Sequence, residues 1–184
     1  MRKVIAAINI TLDGVFDHTA GLPDEEIHQH YTQLLDTAGV ILYGRTTYQL
    51  MEFWRTVLEN PVEEKSMHSF ALAIDRIPKI VFSHQLEMVT WKSATISKRD
   101  LKEEVMDLKQ QSGKDILVGS RSLILQVLNL KLIDQLQLCI YPVIAGKGSR
   151  LFENVDERTI FNLIQTKTFS SGAVILYYEP IFSD

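Results

Sequence analysis

Only one cysteine, Cys139, is present in the 184 residues, so no intrachain disulfide can form and a reducing cytoplasm is the expected setting. That lone thiol reads as a small, half-buried packing group in a strand. One cysteine also excludes the zinc-deaminase signature, which needs His-x-Glu together with Pro-Cys-x-x-Cys. Positive charge is in short supply: 19 Lys and Arg stand against 23 Asp and Glu, a net charge of −4. A general nucleic-acid partner, which needs a basic face, is therefore not expected, although a local basic pocket for an anionic ligand remains open. No apolar run approaches the roughly 18 residues of a membrane span. The N-terminus lacks the basic-then-apolar layout of a signal peptide, so no membrane partner is expected.

Several binding motifs are missing as well. No Gly-x-Gly-x-x-Gly follows the first strand-like run, which argues against an ordinary Rossmann dehydrogenase. Gly146-Lys147-Gly148-Ser149 has Tyr141 where a P-loop needs its first glycine, and reads better as a turn between strands. The histidines are His18, His28, His30, His68 and His84. His28 and His30 are two apart on a predicted helix and point to different faces, so no metal is expected.

Apolar content is high, at 46% hydrophobic residues, and suits one domain over 1–184 with a sizeable core. Val4-Ile5-Ala6-Ala7-Ile8 is a continuous apolar run, as in a strand buried on both faces. Asp13-Gly14 signals a turn, and 15–23 reads as a loop. Asp24 caps a helix with Ile27, Tyr31, Leu34, Leu35 and Ala38 on one face, and Gly39 fits its stop. Val40–Tyr43 is a second strand, and Asn60-Pro61 breaks the chain further on. Met67, Phe70, Ala71 and Ile74 mark another helix, ended before Pro78. A short strand follows at 79–83, then a helix that Ser97 can cap and Gly113 closes, then the strand Ile116–Val118 and a helix with Leu123, Ile124, Val127 and Leu128 inward. From Gln135 to Tyr141 the pattern alternates strictly, and Ser170-Ser171-Gly172 reads as a hairpin turn between two final strands. Strands alternating with helices and then strands alone predict an α/β fold. Its sheet should be mostly parallel, covered by helices, with antiparallel strands at the C-terminal end.

One local pattern occurs twice. Val40–Tyr43 runs into Gly44-Arg45-Thr46-Thr47, and Ile116–Val118 into Gly119-Ser120-Arg121-Ser122. In each, a buried strand meets glycine, hydroxyls and an arginine at a helix start, where free N–H groups and the dipole favour an anion. Thr46 and Gln49 have capping-box spacing. Each turn alone fits a plain strand-to-helix junction. The pair suggests a ligand with more than one phosphate, bound where the strands' carboxyl ends converge. Acid–base candidates are Asp13, Asp24, Glu26 and His28, with Asp13 also fitting an Asx turn and Asp24 a cap. Trp54 fits packing or a pocket wall.

Taken together, Ile8-Asn9-Ile10-Thr11-Leu12-Asp13-Gly14, Tyr43–Tyr48, Ile116–Ser120, Leu132–Leu136, Pro142–Gly148 and Leu151-Phe152 resemble the dihydrofolate reductase-like superfamily. The likeness is strongest to the reductase domain at the C-terminus of bifunctional riboflavin-biosynthesis (RibD-type) proteins. It implies an NADPH-dependent reductase acting on a pterin-, pyrimidine- or ribosylamino-uracil-like heterocycle. Gly44, Arg45, Thr46 and Thr47 would take the pyrophosphate and approach the 2′-phosphate. Ser83 would sit near that phosphate, and Gly119, Ser120, Arg121 and Ser122 would hold the other side. Asn9, Asp13 and Gly14 would lie near nicotinamide and substrate, with Asp13, Glu26 or His28 as acid–base groups. The riboflavin-type relatives also imply a homodimer, for which the 135–141 strand and the C-terminal hairpin are the expected face. Two departures stand out. His28 occupies the position, sixteen residues before Gly44, where a folate reductase carries a carboxylate, and no deaminase domain is present. Dihydrofolate reduction, or nucleotide binding without catalysis, are the rival readings.

Overall fold

The computed structural model describes residues 1–60, 62–153, 155 and 158–182. Eight strands form one sheet in the order β4-β3-β2-β5-β1-β6-β8-β7. The strands are β1 (Val4–Thr11), β2 (Ala38–Gly44), β3 (Lys79–Phe82), β4 (Ala94–Ile96), β5 (Asp115–Val118), β6 (Gln135–Tyr141), β7 (Ile160–Thr168) and β8 (Val174–Ile181). Those from β4 across to β6 are parallel, while β8 pairs antiparallel with both β6 and β7. The expected mixed α/β architecture is therefore present. Among the described residues no helix is long and apolar enough to cross a membrane.

The helices are α1 (Glu25–Thr37), α2 (Arg45–Met51), α3 (Phe53–Glu59), α4 (Lys65–Arg76), α5 (Leu101–Gln110) and α6 (Arg121–Asn129). α5 and α6 bury Leu101, Val105, Ile124 and Val127 against Val4, Ala6, Val40 and Val118 on one sheet face. α1 and α4 bury Leu35, Phe70 and Ile74 against Ile5, Ile41 and Leu117 on the other. A third cluster, Ile27, Cys139, Tyr141, Phe169 and Ile175, lies under the C-terminal hairpin. The uninterrupted apolar runs of the central strands follow from cover on both faces. At the start of β1 the backbone N–H of buried Val4 donates to Asp134 Oδ2 (2.7 Å), which also accepts from the Lys109 ammonium.

Several local expectations are corrected. Gly39 does not stop α1: the helix ends at Thr37, Ala38 turns extended, and Gly39 lies in β2 at the register shift between Ala38 and Val40. A Cβ there would stand 3.1 Å from Arg2 Nη2 and 3.2 Å from the Lys114 carbonyl, so close backbone approach explains the glycine. The Thr46–Gln49 capping box is not formed. α2 begins from Gly44 with no side-chain cap. Asp100, not Ser97, caps α5, accepting from the Glu103 N–H at 2.8 Å, and Ser97 instead accepts from the Arg99 N–H. The helix closes at Gln111, ahead of Gly113. Of the Asn60-Pro61 break, Asn60 is the C-cap of α3 and Pro61 lies outside the described residues. β4 gave no sequence signal, being three residues long.

The alternation in β6 does not mark one solvated face. This strand lies between β1 and β8, and Gln137 and Cys139 are buried as fully as Leu136 and Leu138. Gln137 donates to Gln135 Oε1, one polar pair within the covered face. Cys139 is wholly buried rather than half-buried, and burial pushes its thiol up to about 12. β6 is thus no free interface, and the exposed edge is β7.

Lys79, 1% exposed, donates to the Ile77 carbonyl (2.9 Å) and Ser93 Oγ (2.7 Å) and lies 4.0 Å over the Trp91 ring, fastening the segment before β4 to β3. Burial lowers its ammonium to about 8, with Asp75 acting in the opposite sense. An unfolded lysine keeps its proton to about 10.4, so between these values the unfolded chain binds more protons and stability rises with pH. The stability difference between wild type and Lys79→Met, measured by urea unfolding, should shift in favour of wild type from pH 8 to 10. A flat difference would contradict the burial effect.

Candidate functional site

A cavity of about 710 Å³ opens on the α1/α4 face of the sheet, where β1, β2 and β5 end. Insertion of β5 between β2 and β1 brings those three carboxyl ends together, as ligand crevices in open α/β sheets require. Of the residues singled out in the sequence, Asn9, Thr46, Thr47, Gly119, Arg121 and Ser122 line it. The two glycine turns therefore meet at one cavity.

They also touch directly. The Gly44 N–H donates to Ser120 Oγ at 2.8 Å, tying the end of β2 to the start of α6. Ser120 is buried and makes no cap bond to its own helix. The space is tight: a Cβ on Gly44 would stand 3.3 Å from Ser122 Oγ, and one on Gly119 3.0 Å from Tyr43 Cε1. Both glycines are thus explained by close approach. The first-turn N–H groups of α2 and α6, with the Thr46, Thr47 and Ser122 hydroxyls, remain as donors for an anion.

The arginines differ. Arg45 is exposed beside Thr46 and outside the lining. Arg121 lines the cavity, yet its guanidinium donates to the carbonyls of Arg150 (3.1 Å), Leu151 (3.0 Å) and Glu153 (2.8 Å), and lies 5.4 Å from the Phe16 ring. It fastens the 150–153 segment to the start of α6. Ser83 stands off the lining, its hydroxyl accepting from the N–H groups of Gln85 and Leu86.

Asp13, Glu26 and His28 are not brought together, and none lines the cavity. Asp13 accepts from Thr11 Oγ1 (2.6 Å) and from the N–H groups of Ala145 (3.0 Å) and Gly146 (2.9 Å). Those bonds, the Thr11 hydroxyl foremost, hold its carboxyl at about 2. Gly14, at φ +81°, makes the tight turn beside it, and its carbonyl accepts from the Leu151 N–H. Glu26 accepts from the N–H and hydroxyl of Ser170, pinning the hairpin turn to α1. His28 is buried against Trp54 and Phe70 with Nδ1 3.1 Å from Glu64 Oε1, so Trp54 is a packing residue.

The wall holds groups that sequence reasoning passed over. Asp17 and His18 come from the aperiodic loop before α1, with His18 Nδ1 3.6 Å from Asp17 Oδ1, and no periodicity could have flagged them. The Thr19 side chain and N–H lower Asp17 and keep it ionised. Tyr31, read only as an inward-facing helix residue, donates to Asn9 Oδ1. Burial raises its hydroxyl well above the ordinary value. Among the described residues Asp17 is the only carboxylate on the wall. No group of three or more metal-ligating residues that could hold an ion occurs among them.

Comparison with known proteins gives a consistent result. The family model for the RibD C-terminal domain matches residues 2–177. YyaP, an uncharacterised protein of Bacillus subtilis (strain 168), is 35% identical over 97% of this chain and 95% of its own length. YwjB of the same organism, also uncharacterised, is 27% identical over 96% and 97%. Among solved structures, a pyrimidine reductase-like protein of Corynebacterium diphtheriae superposes with a TM-score of 0.68 at 16% identity, covering 99% of this chain and 93% of that one. Acinetobacter baumannii RibD superposes with a TM-score of 0.70 at 15% identity, over 98% of this chain and 58% of the longer RibD chain. At these identities the structural likeness concerns the fold.

The Asp13 bonds generate a direct test. In Asp13→Ala the amide protons of Ala145 and Gly146 should exchange with solvent faster than in wild type at pH 7, while those of β5 are unchanged. Equal exchange would show that the carboxylate does not hold this segment.

Proposed function

This chain belongs to the RibD C-terminal domain family, and on that premise we propose that it is an NADPH-dependent reductase of a small pterin-, pyrimidine- or ribosylamino-uracil-like heterocycle. The observation that carries the reading is the convergence of both glycine turns, with the Thr46, Thr47 and Ser122 hydroxyls, on one cavity at the sheet's carboxyl edge. Two helix starts without a side-chain cap there suit a pyrophosphate. The nicotinamide supplies the hydride when bound. This chain's part is to hold the phosphates at α2 and α6 and to set the substrate at Asn9. Asp17, His18 and Tyr31 are the acid–base groups of the wall. Of these, His18 beside Asp17 is the group assigned to the proton that accompanies reduction.

Dihydrofolate is a poorer substrate on this reading, since no carboxylate of α1 lines the cavity. Arg45, exposed beside Thr46, is assigned to the adenosine 2′-phosphate. A homodimer is also part of the proposal, formed through the β7 edge, where Leu163 is 53% and Ile164 46% exposed.

Calorimetric titration should show NADPH binding at least about tenfold more tightly than NADH, one charge-assisted contact's worth, with Arg45→Ala erasing most of the difference. Equal affinity for the two cofactors would overturn the Arg45 assignment. Sedimentation equilibrium should give a dimer that Leu163→Lys converts to monomer; a wild-type monomer would exclude the β7 interface.

A further inference from the structure

Helix α2 offers the cavity two chemistries one turn, about 5.4 Å, apart. Thr46 and Thr47 stand at its start, and Leu50 and Met51 follow on the same wall. Leu34 of α1 and Phe70 of α4 line the cavity with them. Leu34, Met51 and Phe70 belong to the apolar cluster on this sheet face, so the recess between α1, α2 and α4 is an opening in a hydrophobic core. Leu50 remains 43% exposed at its rim.

Charge is distributed the other way. Among the described residues, Arg121 is the only lysine or arginine on the wall, and its Nε–H and an Nη2–H are already directed to three backbone carbonyls. It also belongs to the α6 turn, away from the α1–α2–α4 recess. A phosphate or carboxylate arm entering that recess would lose its water and meet no counter-charge.

The polar end has its own direction. Tyr31 donates its hydroxyl proton to Asn9 Oδ1. With the carbonyl end of Asn9 occupied, its NH2 end is what the exposed amide offers to the cavity. A ligand placed there needs an acceptor, such as a ring nitrogen or a carbonyl.

Resting on the reductase reading above, we infer that the substrate is an uncharged heterocycle carrying a hydrogen-bond acceptor for Asn9 and an apolar arm for the α1–α2–α4 recess. A ring bearing a sugar phosphate does not fit this distribution of groups.

Two probes that share one ring separate the possibilities: 5-amino-6-(benzylamino)uracil and 5-amino-6-(5-phosphoribosylamino)uracil. Each is titrated calorimetrically into the full chain saturated with NADPH. The benzyl compound should bind at least about tenfold more tightly, the gain expected from burying one aromatic arm. Leu50→Lys alters a side chain at the rim without opening the core. It should weaken the benzyl probe and strengthen the phosphoribosyl one. Equal or tighter binding of the phosphoribosyl compound by wild type would overturn the inference, as would failure of both probes to bind the NADPH complex. Failure of wild type to bind NADPH at all would instead remove the reductase reading on which the inference rests.

Discussion

The position of β5 governs this molecule. The chain leaves β1, builds β2, β3 and β4 outward, and then returns to lay β5 between β2 and β1. That return sets two strand-to-helix turns side by side, and the Gly44–Ser120 hydrogen bond joins them. Were β5 an edge strand, the two turns would be separated by the width of the sheet and could not address one ligand. The burial of every central strand on both faces, and so its composition, follows from the same arrangement.

Around this junction most carboxylates serve the scaffold. Asp13 holds the 145–146 backbone, Glu26 holds the hairpin, and Asp134 ties β1 to α5 through Val4 and Lys109. The cavity wall is left mainly with hydroxyls, one amide and apolar side chains. Such a wall suits a cofactor that brings its own chemistry, because the protein then contributes position rather than reactive groups.

Much of the fold was legible from local pattern. Apolar runs marked β1, β2 and β5, Asp24 marked the start of α1, and the Ser170–Gly172 turn marked the final hairpin. Errors arose where a residue type serves two purposes. Gly39 resembles a helix stop but answers crowding from Arg2 and Lys114, and Gln137 and Cys139 of β6 resemble a solvated face but are buried between β1 and β8. Of the site, the duplicated turns were legible because glycine, hydroxyl and helix start are sequential. The acid–base groups were not. Asp13, Glu26 and His28 look alike as candidates until their partners are known, and Asp17 and His18 lie on a loop whose path no periodicity records.

Arg121 joins two events that would otherwise be independent. Its guanidinium is committed to the carbonyls of Arg150, Leu151 and Glu153, and the same side chain lines the cavity. An anion that draws one of those N–H groups toward itself takes it from the backbone of that segment. Occupancy and the order of that segment are therefore thermodynamically linked, and linkage is reciprocal. Whatever loosens the segment changes affinity for the anion by the same factor that the anion changes the segment's own equilibrium.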